Sequence, residues 1–205
     1  MVPPPVGLAN IGLVSFRSPG EPQSSSSPVI SRRWHAAGVT IGGLSAAGRL
    51  ARIGGLLGGL PGPCGNGEIL AWADLGDTRT LPGLLFGWIG GAGLFDSWPP
   101  GVGIDAPQDA ADLMTRLWEI DRPAAVDTLA GLASVSMAYR MRARYPESEA
   151  RQVFGTLASL LGHRARWWAS TGPMGSNPVT RHTFDAVVAG AGAGVIATVL
   201  AFDED

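Results

Sequence analysis

At 205 residues, with 45% hydrophobic and 16% charged side chains, the chain has the length and apolar content of one domain with its own core. A formal charge of −2 gives no whole-chain attraction to nucleic acid or acidic membranes. One cysteine excludes a disulfide framework and a multi-cysteine zinc site, and fifteen arginines without a lysine exclude Schiff-base and Walker-lysine chemistry.

Glycine and proline, 30 and 16 in number, are unevenly placed: residues 1–103 carry 22 and 11 of them. Residues 1–63 read as a flexible Gly/Pro/Ser-rich arm. Pro3–Pro5, Pro19, Pro22, Ser24–Ser27 and Pro28 leave only Leu8–Phe16 as an apolar piece, too little to offset ordering entropy. Trp34–Pro63 has Arg49 and Arg52 as its only charges, and seven glycines between 42 and 59 disfavour a helix by roughly 6 kcal/mol. The uncharged pieces beside Arg49 and Arg52 are too short for a transmembrane span of about 20 residues.

Ser31-Arg32-Arg33, followed by a Gly/Ala-rich run, resembles a twin-arginine export signal with Ser45-Ala46-Ala47 as a cleavage candidate. It departs from that pattern at His35-Ala36-Ala37, where bulky apolar residues are usual. A cytoplasmic protein is the expectation and export the alternative.

Residues 64–205 read as a single α+β domain: a small antiparallel sheet, including a C-terminal hairpin, packed with about three helices. Glu68–Asp74 and Leu84–Ile89 are short aromatic and aliphatic runs separated by Gly76-Asp77-Thr78 and Pro82-Gly83, the pattern of two strands. A first helix is expected after Asp105-Ala106-Pro107, with Asp109 and Asp112 in its opening turns and Leu113, Leu117 and Ile120 on its face. Asp121-Arg122-Pro123 opens a second, with Val126, Leu129, Ala130, Ala133 and Met137 in period and Arg140, Arg142 and Arg144 at its end. Pro146 opens a third, carrying Glu147 and Glu149, then Val153, Phe154, Leu157 and Leu161, then Arg164 and Arg166, and stopping at Gly172-Pro173.

The C-terminal run from Phe184 through Gly190-Ala191-Gly192-Ala193-Gly194 to Phe202 has a superficial likeness to a dinucleotide-binding strand and turn. The sixth fingerprint position is Val195 rather than glycine, and no chain remains for a second strand or a ribose-binding acid. No cofactor is expected. Thr183–Ala189 and Val195–Phe202 read instead as two apolar strands joined by a glycine loop, the second apolar on both faces. Asp203-Glu204-Asp205 reads as a solvated cluster.

Few residues suggest chemistry. Cys64, in a Pro/Gly turn, could be a nucleophile activated by His163 or His182, and Asp74 and Asp77 could pair as acid and base. The histidines His35, His163 and His182 lack ligand spacing, so no metal is expected. Charge is segregated: 104–127 hold six acids and two arginines, whereas 139–169 hold six arginines and two glutamates. Arg164, Arg166, Trp167, Trp168 and Arg181 form an Arg/Trp group suited to an acidic protein partner. The leading reading is a non-enzymatic interaction or regulatory module of the immunity or antitoxin kind using that surface. A small enzyme with its site in the Cys64–Asp77 loops, and a nucleic-acid binder using the basic helices, are the alternatives.

Overall fold

The computed structural model describes residues 43–60, 68–96, 105–138, 145–172 and 175–203. Their centre is the C-terminal hairpin, β6 (Phe184–Gly192) and β7 (Val195–Asp203), turned by Ala193 and Gly194 at φ 49° and 77°. Two consecutive positive φ values are the geometry of a type I′ turn, whose twist matches that of the strands it joins. β1 (Glu68–Leu75) pairs antiparallel with β7, whereas β3 (Arg166–Ala169) pairs with β6 and β2 (Trp118–Ile120) with β3. The five-stranded order is β1-β7-β6-β3-β2, and a small ribbon, β4 (Thr171–Gly172) with β5 (Gly175–Ser176), stands apart. The fold is α+β, as expected.

Alternation along β7 divides the core. Val195, Ala197 and Val199 join a cluster with α1 (Ala46–Leu57), α4 (Arg122–Ser134) and α5 (Glu147–Leu161). Ile196, Leu200 and Phe202 face α2 (Leu81–Gly91) and α3 (Ala110–Thr115) on the other side. A hairpin apolar on both faces thus becomes the middle of a three-layer body.

Several elements differ from the sequence reading. Leu84–Ile89 is not a strand: it belongs to α2, where Leu81, Leu85 and Ile89 recur at helical spacing and are fully buried. Every residue of α2 except Pro82 is apolar or glycine, so periodicity could not separate helix from strand. The helix expected across Leu113–Ile120 ends at Thr115, and β2 follows. Leu113 and Leu117 pack against the α2 side and Ile120 against the α4 side, so the three never shared one face.

α4 begins as expected, with the Asp121 carboxylate accepting from the Ala124 N–H at 2.8 Å, but it ends at Ser134 rather than running through Met137. Arg140, Arg142 and Arg144 lie outside the described residues. α5 begins at Pro146-Glu147 as expected and stops at Gly162, whose φ of 90° ends the helix ten residues before Gly172-Pro173.

The arm expected through residue 63 does not extend that far, because α1 is part of the packed body. Ser45 caps it by accepting from the Gly48 N–H, Ile53 and Leu57 are buried, and Arg49 donates to the Leu160 carbonyl at 2.5 Å. Tertiary burial offsets the glycine penalty that a solvated helix would carry. The small-residue site Ser45-Ala46-Ala47 is thus the cap and first turn of a packed helix; Arg32 and Arg33 lie outside the described residues. Asp203, read as solvated, is buried, and its Oδ2 accepts from the Ala138 N–H at 3.0 Å.

The three hairpin glycines divide as well. Only Gly194 belongs to the turn. A Cβ on Gly190 would stand 2.6 Å from the Trp167 ring, and one on Gly192 would stand 2.4 Å from the Leu161 carbonyl oxygen. These two glycines let an indole and the end of α5 lie directly on the β6 backbone.

Candidate functional site

Consecutive residues of a strand point to opposite faces. Because 166–169 are β3 and not the end of a helix, Trp167 and Trp168 enter different cores, 1% and 8% exposed. The doublet is therefore no exposed aromatic surface, which corrects the grouping of Arg164, Arg166, Trp167, Trp168 and Arg181 as one partner-binding patch. Arg166 is exposed but occupied: its Nε and Nη2 reach Glu119 Oε1 and Oε2 at 2.9 and 2.6 Å, and its guanidinium lies 5.1 Å from the Trp168 ring centroid. That bidentate pairing holds the Glu119 carboxyl below its usual range and the Arg166 guanidinium above its own. The pair links β2 to β3 across the face of the sheet and lies over Trp168. Since both groups stay solvated, Arg166→Ala is expected to move the melting temperature by less than about 3 °C in a thermal scan. Arg164 stands exposed in the turn after α5.

His163 is exposed in that same turn, whereas His182 is buried and stacks on Phe202 with ring centroids 4.2 Å apart. The two histidines are thus in different settings, and Cys64 lies outside the described residues. Asp74 and Asp77 serve the backbone. Asp74 accepts from the Leu75 N–H at 2.7 Å, and Asp77 accepts from the N–H groups of Arg79 and Thr80, at 2.9 and 3.2 Å. Those two backbone donors lower the Asp77 carboxyl from its usual range. This is a turn that launches α2.

The most organised polar group was not singled out from sequence. Asp185, at the start of β6, is buried and accepts from the Val179 N–H, the Thr180 N–H and the Thr180 hydroxyl. Thr180 Oγ1 in turn accepts from the His182 N–H at 3.1 Å. Desolvation raises the Asp185 carboxyl above its usual range, opposed first by the Thr180 hydroxyl and then by the two backbone donors and His182. All of its partners lie within six residues, so the carboxylate's visible task is to fold 179–182 back onto the sheet. Arg181, in that loop, hydrogen-bonds through its N–H to the Leu94 carbonyl, and its buried Nε has no partner among the described residues. A signal existed in sequence: Thr180 and Asp185 bracket a turn before a strongly apolar strand.

The surface feature that remains is the outer edge of β1. This strand runs eight residues, and no strand pairs with its far side among the described residues. The Gly76 N–H donates to the Gly194 carbonyl at 3.0 Å, and the register continues as Leu75 opposite Val195 and Asp74 opposite Ile196. Because ladder bonds alternate, Leu70, Trp72 and Asp74 turn their backbone groups toward β7, whereas Ile69, Ala71, Ala73 and Leu75 turn theirs outward. Between Glu68 and Asp74 the strand has no charge, no proline and no bulge, the devices that protect exposed edges. The opposite edge, β2, is three residues long with the charged Glu119 at its centre. Leu75 at the tip of β1 is 50% exposed, the one exposed large hydrophobic side chain among the described residues.

Among the described residues, no group of three or more His, Cys, Asp or Glu side chains is placed to hold a metal ion, and no helix is long and apolar enough to cross a membrane. Comparison with protein-family models, with curated proteins and with solved structures found no match to this chain.

Proposed function

We propose that the chain is a non-enzymatic protein-interaction module that engages an extended partner strand along the outer edge of β1. The observation that carries this reading is the eight-residue edge of β1, unpaired among the described residues, with outward N–H and C=O groups at Ile69, Ala71 and Ala73 and an outward carbonyl at Leu75, whose N–H is held by the Asp74 carboxylate. Strand addition draws affinity from main-chain hydrogen bonds, and the sequence Ile-Leu-Ala-Trp-Ala offers such bonds without a charge to repel the incoming chain. The opposite edge supports the same division of labour, since β2 is three residues long with the charged Glu119 at its centre. The residues proposed for catalysis offer less: Asp74 and Asp77 serve as turn formers, and His182 is packed under Phe202.

Residue-resolved amide hydrogen exchange of the full chain, diluted until it is monomeric, tests this reading. Ile69, Ala71 and Ala73 are expected to exchange far faster than Leu70, Trp72 and Asp74, whose amides belong to the β7 ladder. Equal protection of both sets in the monomer would mean that the edge is already filled from within the chain, and the proposal would fall.

A further inference from the structure

We infer that the strand that fills this edge is β1 of a second copy of the same chain, forming a symmetric dimer centred on Trp72; this rests on the reading of β1 as an open edge. A two-fold axis perpendicular to the sheet keeps each face aligned with its counterpart, so facing residues share a face and their numbers differ by an even amount. The outward backbone groups then allow two well-overlapped registers.

Centring on Ala71 sets Glu68 opposite Asp74 on both sides of the axis, and like charges directly opposite are destabilising. It also leaves the outward carbonyl of Leu75 without a partner in the strand. Centring on Trp72 sets Ala71 opposite Ala73 and Ile69 opposite Leu75, each pair occurring twice. All four outward residues are then paired across the axis, the Leu75 N–H exchanging the Asp74 carboxylate for the Ile69 carbonyl of the other copy, and the acids stand across from Leu70 and Gly76 instead of each other. The exposed Leu75 side chain is placed beside Ile69 of the other copy, on the same face. The two Trp72 residues meet at the axis as a non-hydrogen-bonded pair, where side chains approach most closely.

α1 lies against β1, and its exposed row at Ala47, Ala51 and Gly55 carries no large side chain, with Arg52 beside it as the one long exposed group. Gly54 and Gly55 have open space where a Cβ would stand, so internal packing does not require them. A formal charge of −2 per chain adds little repulsion between copies.

Sedimentation equilibrium of the full chain between about 1 µM and 1 mM is expected to show a monomer–dimer equilibrium, with the outward amides gaining protection as the dimer fills. Ala71→Pro removes an outward N–H without touching the β7 ladder, and Leu75→Lys places the natural edge-blocking charge on an exposed site. Each is expected to weaken dimerisation at least tenfold; Leu75→Lys keeps the test open if the proline variant does not fold. In a Cys64→Ser background, Trp72→Cys is expected to cross-link across the axis under oxidation and Ala71→Cys is not. A chain that stays monomeric at 1 mM with fast outward exchange would overturn the dimer while leaving the open-edge reading intact. Protected outward amides in a monomer would overturn both. A dimer insensitive to both edge variants, or cross-linked through Ala71→Cys alone, would overturn the Trp72-centred pairing.

Discussion

Replacing Gly192 with alanine is expected to destabilise the protein by roughly 3 kcal/mol or more, the upper range for forcing extra volume into a packed interior. The added Cβ would lie 2.4 Å from the Leu161 carbonyl oxygen, 2.7 Å from the Ala165 Cβ and 2.9 Å from the Ala165 Cα. None of these atoms ends a flexible side chain. Leu161 is the last residue of α5, and Gly162 is committed to φ 90°, so the loop cannot retreat without unwinding the helix end. Gly192 cannot retreat either, since it pairs with Val195 at the hairpin turn.

Gly190→Ala makes an informative comparison. Its Cβ would meet the Trp167 ring at 2.6 Å and Leu161 Cδ1 at 2.9 Å, both side-chain atoms. Trimming the ring with Trp167→Phe is therefore expected to recover part of the loss in Gly190→Ala and none of it in Gly192→Ala. Gly155→Ala serves as the control: a Cβ there meets nothing within 4 Å in the middle of α5, and the change is expected to stabilise by about 0.5–1 kcal/mol. Urea denaturation midpoints of the three glycine variants, of Trp167→Phe and of its two combinations with Gly190→Ala and Gly192→Ala check the set. A Gly192→Ala protein as stable as the parent would show that α5 does not lie on the β6 backbone in this way.

These glycines also mark where the sequence was legible and where it was not. The hairpin was readable because its signals are local: two Val- and Ala-rich runs and a glycine-containing turn say the same thing. The starts of α4 and α5 were readable for a similar reason, since Asp121 with Pro123, and Pro146 with Glu147, act on backbone groups a few residues away. What failed depended on distant partners. The role of Gly190 depends on Trp167, which reaches it only because β3 pairs with β6. The Trp167-Trp168 doublet looks like surface at the end of a helix and like core in a strand, and only that pairing chooses between them. α2 failed differently: a segment buried on most sides needs no polar face, so it carries no period to read. β1 itself was legible, but its place at the edge was not, because strand order follows from which strands the hairpin recruits.

The group at Asp185 is expected to give the second large effect. Asp185→Ala would leave the Val179 N–H, the Thr180 N–H and the Thr180 hydroxyl without their acceptor, in residues that are themselves fully buried. At about 1–3 kcal/mol for each buried donor left unpaired, and with some relaxation of the loop, the loss is expected to be roughly 3 kcal/mol or more. Asp185→Asn keeps the shape and one acceptor oxygen, and its loss is expected to be nearer 1 kcal/mol. The pH dependence separates charge from shape. Burial raises the Asp185 carboxyl in the folded protein above the ordinary value of 3.8. Ionising it therefore costs more in the folded state than in the unfolded one. Its favourable contribution is fully present below pH 3.8 and is lost as the pH rises through the raised folded value. Asparagine does not titrate, so the advantage of the parent over Asp185→Asn is expected to be largest in acid and to shrink as the pH rises toward neutrality. Denaturation midpoints of the two proteins, measured in parallel from about pH 3.5 to 7, read this difference directly. A gap that widens with pH would mean that the three donors outweigh desolvation and hold the carboxyl below its ordinary value.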